Sequence, residues 1–313
     1  MIVSKSPKVN VLGGDLYTGR TLSGVTAPTG SKVTGSVSNT SVGSFGSWAE
    51  YAIVPTGSIS GVASGSGYVG GVDETSVICG ISLLSFTNST GPSPAGCNNG
   101  RVGNFTATSS MPNVAARFKV TPSTPRVSGQ VSVGAGGMNS GVYTSTAATF
   151  NVRGGSVVPA GRWVVINAPD STVTINDNID YTNGPFTSAG QIPQVIIIAN
   201  NINIAPGVTN VDAWLISNGK AAGSTITGGV INTCAVSVTV TSRVCDKKLT
   251  VNGPVIANRL HMLRTFGAGP GAQSIEPGEV FNLRADAYVW AMSRGLADGR
   301  VTTTSTTELP PRY

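Results

Sequence analysis

The stretch "LTVNGPVIANRLHMLRT" (249–265) sets three short apolar pieces, 249–251, 255–257 and 260–263, between polar corners. Each piece is too short for an independent strand, and Pro254 interrupts any helix. The pattern occurs twice more upstream. "RWVVINAPDSTVTINDNIDYTN" carries apolar pieces at 164–166 and 173–175 and at Ile179, and "QVIIIANNINIAPGVTNVDAWLIS" carries them at 195–198, 202–204 and 211–216. Asn, Gly, Pro and Asp hold the corners, where Asn tolerates and Gly freely adopts the left-handed backbone of a sharp bend. Three rungs per turn, stacked turn on turn, describe a parallel β-helix in which each apolar face is buried only by its neighbours. Excursions at 182–194 and 217–248 interrupt the repeat. A β-sandwich of short strands is the rival architecture.

The composition agrees with an all-β chain rich in turns. Of 313 residues only 11% are charged and 41 are Gly, so Ser, Thr and Asn supply the surface. Gly and β-branched residues disfavour helix, the first by backbone entropy and the second by lost side-chain freedom. The net charge of +6 is spread along the chain with no basic stripe and few aromatic rings, which argues against a nucleic-acid partner. No apolar run of 18 residues exists to span a membrane. The opening "MIVSKSPKVNVLGGD" lacks a signal-peptide core, so an export signal is expected to precede Met1 or to have been removed.

Four cysteines fall in two local pairs, Cys79 with Cys97 and Cys234 with Cys245, neither at zinc-site spacing. Two loop-closing disulfides are expected, each worth ~2–3 kcal/mol, and they imply an extracytoplasmic location. Four buried thiols are the alternative.

Three regions are expected. Residues 1–150 form a Gly/Ser/Thr-rich, loop-rich β domain, with "SWAEYAIV" a strand and 85–112 a loop closed by Cys79 and Cys97. Residues 151–275 form the short, irregular, right-handed parallel β-helix. Residues 276–313 form a cap and an extended arm. Leu283, Ala287, Trp290 and Met292 are placed to face one side of a short helix that would cover the open strand edges at the solenoid's end. Trp290 with Leu309, Pro310, Pro311 and Tyr313 of the tail are the candidate contacts for assembly.

"GGDLYTG", "FGSWAEYAIV", "VASGSGYVGG", the rungs, and above all the block from Cys234 to Ala291 with "LTVNGPVIANRLHMLRT" and "PGEVFNLRADAYVWA" make a distinctive series. It resembles uncharacterised exported cell-envelope β-helix proteins of ultra-small candidate-phyla bacteria. The resemblance implies export and a surface role, and it brings no catalytic residue with it.

Candidate chemistry is sparse. His261 is the single histidine, so histidine triads and multi-histidine metal sites are mostly excluded, and a lone histidine in an apolar rung is more often a solvent-facing or satisfied core side chain than a catalyst. Asp170, Asp177, Asp180 and Asp212 are the carboxylates that a polysaccharide-acting enzyme would draw on. "NDNID" (176–180) also offers oxygen ligands of the kind Ca²⁺ takes, although corner residues of this type usually bond their own backbone. "GAGPGAQS" lacks the Lys-Ser/Thr ending of a phosphate loop. The sequons at Asn39, Asn88 and Asn104 are too short to carry meaning. No cofactor is expected. The leading expectation is therefore an exported, non-enzymatic structural protein whose partners are copies of itself in a bacterial cell-surface filament or coat. The alternatives are an adhesin or glycan-binding fibre module, with surface glycans or a host cell as partner, and, behind both, a polysaccharide-acting enzyme.

Overall fold

The computed structural model describes residues 114–217, 219–222, 225–236, 244–266 and 277–294, and six short strands between residues 9 and 60. Those six are β1 (Val9–Leu12), β2 (Leu16–Thr18), β3 (Leu22–Ser23), β4 (Trp48–Ala49), β5 (Ile53–Pro55) and β6 (Ile59–Ser60). Then come β7 (Gln130–Ser132), β8 (Gly141–Tyr143), β9 (Thr149–Arg153), the long β10 (Trp163–Ile175) and β11 (Gln194–Ile204), β12 (Asn210–Asp212) and β13 (Trp214–Ser217). A hairpin of β14 (Lys220–Ala222) and β15 (Thr225–Thr227) follows, then β16 (Val230–Asn232), β17 (Leu249–Asn252), β18 (Val255–Ala257), β19 (Arg259–His261), β20 (Glu279–Asn282) and the helix α1 (Ala285–Ser293).

The described residues are mostly β, and their sheets are parallel apart from the β14–β15 hairpin. β2 pairs with β5 and β3 with β6 in two small sheets of their own, and apart from these and the hairpin three ladders account for the pairing. In the first, Tyr143, Ile166, Ile197, Leu215 and Val255 are successive register partners. In the second, Phe150, Val173, Ile202, Ile231 and Leu260 are. In the third, Ile179, Val211, Val251 and Phe281 are, and β1 and β4 extend it through Val11 and Ala49. β10 and β11 each contribute to two ladders, their mutual register shifting between Ala168 and Thr172.

The three ladders share one apolar core. Ile166, Val173, Ile175, Ile179, Ile197, Ile202, Ile204, Val211, Leu215 and Val251 are all fully buried in it. The apolar pieces found in the sequence therefore stack like on like: 164 on 195, 173 on 202, 179 on 211. Two details differ from the expectation. The piece at 211–216 splits, with Val211 in the third ladder and Leu215 in the first. The excursion at 217–248 contains a rung, because β16 bridges Ile202 to Leu260. The corner at Gly253 is enforced by space: a Cβ there would lie 2.4 Å from the Ala213 carbonyl oxygen, and φ is +153°.

The first ladder is buried on both sides, which is why its strands read as continuous aliphatic runs instead of alternating ones. Val165, Ile196, Ile198 and Ile216 face away from the main core and pack with Phe118, Ile192 and Trp290 in a second cluster. The helix expected over the solenoid's end instead lies against this outer face. Trp290 is 1% exposed, and its ring sits 6.4 Å from Trp163 and 6.5 Å from Trp214, centroid to centroid. Ala287 is buried with it, but Met292 is 70% exposed and does not share that face. An aliphatic sheet face this large needs a cover more than the edges do.

The expected boundary at 150 falls inside β9, and the sheet continues N-terminal to it as far as Gln130. Cys234 and Cys245 form a disulfide, both residues fully buried. Cys79, Cys97, the 85–112 loop, the three sequons, "GAGPGAQS" and the tail residues Leu309, Pro310, Pro311 and Tyr313 lie outside the described residues.

Candidate functional site

The outward face of the third ladder carries a polar groove of about 600 Å³. Its lining includes Asp180, Tyr181, Asn210, Asp212, Asn252 and Arg284. Strand alternation puts it there. Val211, Val251 and Phe281 point into the core, so Asp212, Asn252 and Asn282, each the next residue, point out and stack in register.

These side chains form one connected file. The Asn210 amide donates to Asp180 Oδ1 at 2.7 Å and Asp212 Oδ1 at 3.1 Å. Asn252 donates to Asn210 Oδ1 at 3.0 Å and Asp212 Oδ1 at 2.7 Å, and Asn282 donates to Asn252 Oδ1 at 3.2 Å. Ionised carboxylates only accept, so they fix which way every amide in the file points. Asp212 is 6% exposed, and its second oxygen accepts from the Tyr181 backbone N–H at 2.7 Å. The Arg284 guanidinium lies 3.6 Å from that same oxygen, pairs with Asp286, and rests 5.4 Å above the Tyr181 ring. The Tyr181 hydroxyl accepts the Val195 backbone N–H, and burial pushes its pKa well up, so it stays neutral.

The other candidates are separated from this groove. In the "NDNID" corner, Asp177 Oδ1 accepts the Asn178 N–H at 2.9 Å, and Asn178 Oδ1 accepts the Thr209 N–H at 2.8 Å. Both are corner bonds to backbone. Asp170 is exposed at the bend of β10. Asp180 and Asp212 are the two sequence-predicted carboxylates that the structure brings together. His261 ends a second polar file on the second ladder: Asn232 donates to Asn203 Oδ1 at 2.9 Å, and His261 Nδ1 meets Asn232 Oδ1 at 2.8 Å. Burial lowers its pKa, with Arg259 adding to the effect, so the imidazole is neutral and donates from Nδ1.

Sequence reasoning missed one buried pair. Glu279, the register partner of Leu249, points inward and is fully buried. Its Oε1 accepts from the Arg264 N–H and the Thr233 hydroxyl, each at 2.8 Å, while Oε2 has no partner among the described residues. Desolvation raises its pKa to about 7. Arg264, also fully buried, donates to the carbonyls of Thr233, Pro206 and Ala205 at 2.7, 2.8 and 3.0 Å, tying the corner beside the disulfide. Burial lowers its pKa to about 10, which leaves it charged.

Among the described residues no three His, Cys, Asp or Glu side chains are grouped to hold a metal ion. No described helix is long and apolar enough to cross a membrane. No family model matches the chain, and neither does any curated protein or solved structure.

Proposed function

We propose that this chain is an exported structural protein of the bacterial cell surface, its three ladders the sides of a short parallel β-helix that acts as a rigid scaffold and assembles with copies of itself. The observation that carries the reading is the continuity of the ladders. One chain stacks aliphatic rungs from β7 to β20, and its own N-terminal strands β1 and β4 then add further rungs beyond β20. Among the described residues no strand pairs with β4 on the side away from β1, and an open parallel edge is where a second copy can continue the stack. Head-to-tail contacts that do not close produce filaments. The buried disulfide and the resemblance described above support export. Electron microscopy of the native material tests the proposal. Filaments or a periodic coat are expected, and uniformly monomeric particles at all concentrations contradict it.

A second reading, an adhesin that binds glycans, is favoured by the groove on the third ladder. A hydrolytic role fits that groove poorly. Asp212 has both oxygens engaged by Asn210, Asn252, Tyr181 and Arg284, so it is held as a structural acceptor and not as an acid, base or nucleophile.

A further inference from the structure

We propose that the groove on the third ladder binds an uncharged polysaccharide laid along the stack, and discriminates against polymers bearing carboxylates. The inference rests on the adhesin reading and adds the ligand's chemistry to it. The direction of the amide file decides that chemistry. Asp180 and Asp212 accept only, so Asn210, Asn252 and Asn282 each turn their Nδ2 toward the carboxylate end and their Oδ1 away. Asn210 and Asn252 spend both of their amide N–H groups within the file, and Asn282 spends one. Among the described residues, the file leaves for a ligand the Asn282 carbonyl oxygen and second N–H at one end and the second oxygen of Asp180 at the other, both on half-buried side chains. A surface with more acceptors than donors calls for a ligand whose groups can donate and also accept, and hydroxyl groups in series are the simplest such ligand.

Charge decides the rest. The groove holds two carboxylates against one guanidinium, and Arg284 is already shared between Asp212 and Asp286. Among the described residues no other cation lines the groove to receive an anionic sugar, and a uronate would meet like charge beside a low-dielectric wall. Geometry sets the orientation. Asp212, Asn252 and Asn282 rise one strand spacing apart, ~4.8 Å, close to the length of one pyranose unit. A chain running along the stack can therefore offer one unit to each rung. Val157, 48% exposed on the groove's lining, gives the apolar face of a sugar ring something to rest on.

Calorimetric titration of the full chain with cellotetraose, tetra-N-acetylchitotetraose and tetragalacturonate tests this. At least one uncharged oligomer is expected to bind at least tenfold more tightly than tetragalacturonate. Asn282→Ala is expected to weaken that binding at least fivefold, with the unfolding midpoint reporting that the fold is intact. Asp180→Asn, nearly isosteric, is expected to narrow the discrimination against tetragalacturonate. Equal or preferred binding of tetragalacturonate overturns the proposed ligand class and leaves the adhesin reading standing. Binding that neither substitution changes overturns the site. No binding of any of the three overturns both.

Discussion

Glu279 is the residue at which the core between the ladders departs from aliphatic packing, and its position has a measurable cost. A carboxyl buried with one oxygen unpartnered prefers to be protonated, and its pKa stands at about 7 against the ordinary ~4.3 of an unfolded chain. Between those two values the folded protein holds the proton more tightly than the unfolded one. This contribution to stability is therefore complete below about pH 4 and is lost as pH rises to about 7. At 1.4 kcal/mol per unit it amounts to roughly 4 kcal/mol. Urea denaturation at pH 5 and pH 7.5 is expected to show the larger part of that decline in the wild type and to lose most of it in Glu279→Gln. An identical pH dependence in both would contradict the account. The sequence did not announce this residue. In the sequence Glu279 looks like a loop charge beside Pro277-Gly278, and only the register of "EVFN" with "LTVN" reveals that the glutamate takes the inward place of Leu249. The groove was hidden for the same reason. Asn210, Asn252 and Asn282 lie 42 and 30 residues apart, and nothing local distinguishes them from corner asparagines until the ladders stack them.

At the scale of elements, legibility followed burial. The aliphatic pieces at 164–166, 173–175, 195–198 and 202–204 were readable because each fills one stretch of strand, and the structure pairs them as successive rungs. The β16 rung was not, since Val230 and Ile231 are two apolar residues within a polar excursion and acquire meaning only between Ile202 and Leu260. The helix was foreseen but its seat was not. The doubly buried runs "WVVIN", "QVIIIAN" and "WLIS" already signal a first ladder that needs an outer cover, and α1 supplies it through Trp290. Replacing Trp290 with Ala is expected to cost ~3–5 kcal/mol and to free the helix from the sheet. By hydrogen exchange, amides near the end of α1 should lose protection while those of Val164 to Ile166 keep theirs. A uniform loss across both would show that the helix is integral to the stacked sheets and not a cover on them.

At the scale of the molecule, many short rungs hold together because each is buried by the next. The Cys234–Cys245 disulfide is an addition to that stack. It links residues 11 apart, for which restriction of the unfolded chain is worth roughly 3 kcal/mol. Mild reduction at neutral pH is expected to lower stability by about that amount and leave the ladders folded, and a global unfolding transition would contradict this. The central claim is that three parallel ladders enclose one aliphatic interior, and interstrand nuclear Overhauser contacts test it most directly. Contacts of parallel type are predicted between Ile166 and Ile197, between Ile202 and Ile231, and between Val251 and Phe281 in the same molecule. Short Hα–Hα contacts of antiparallel type at these positions would contradict it, because they would replace the stacked ladders with two facing sheets.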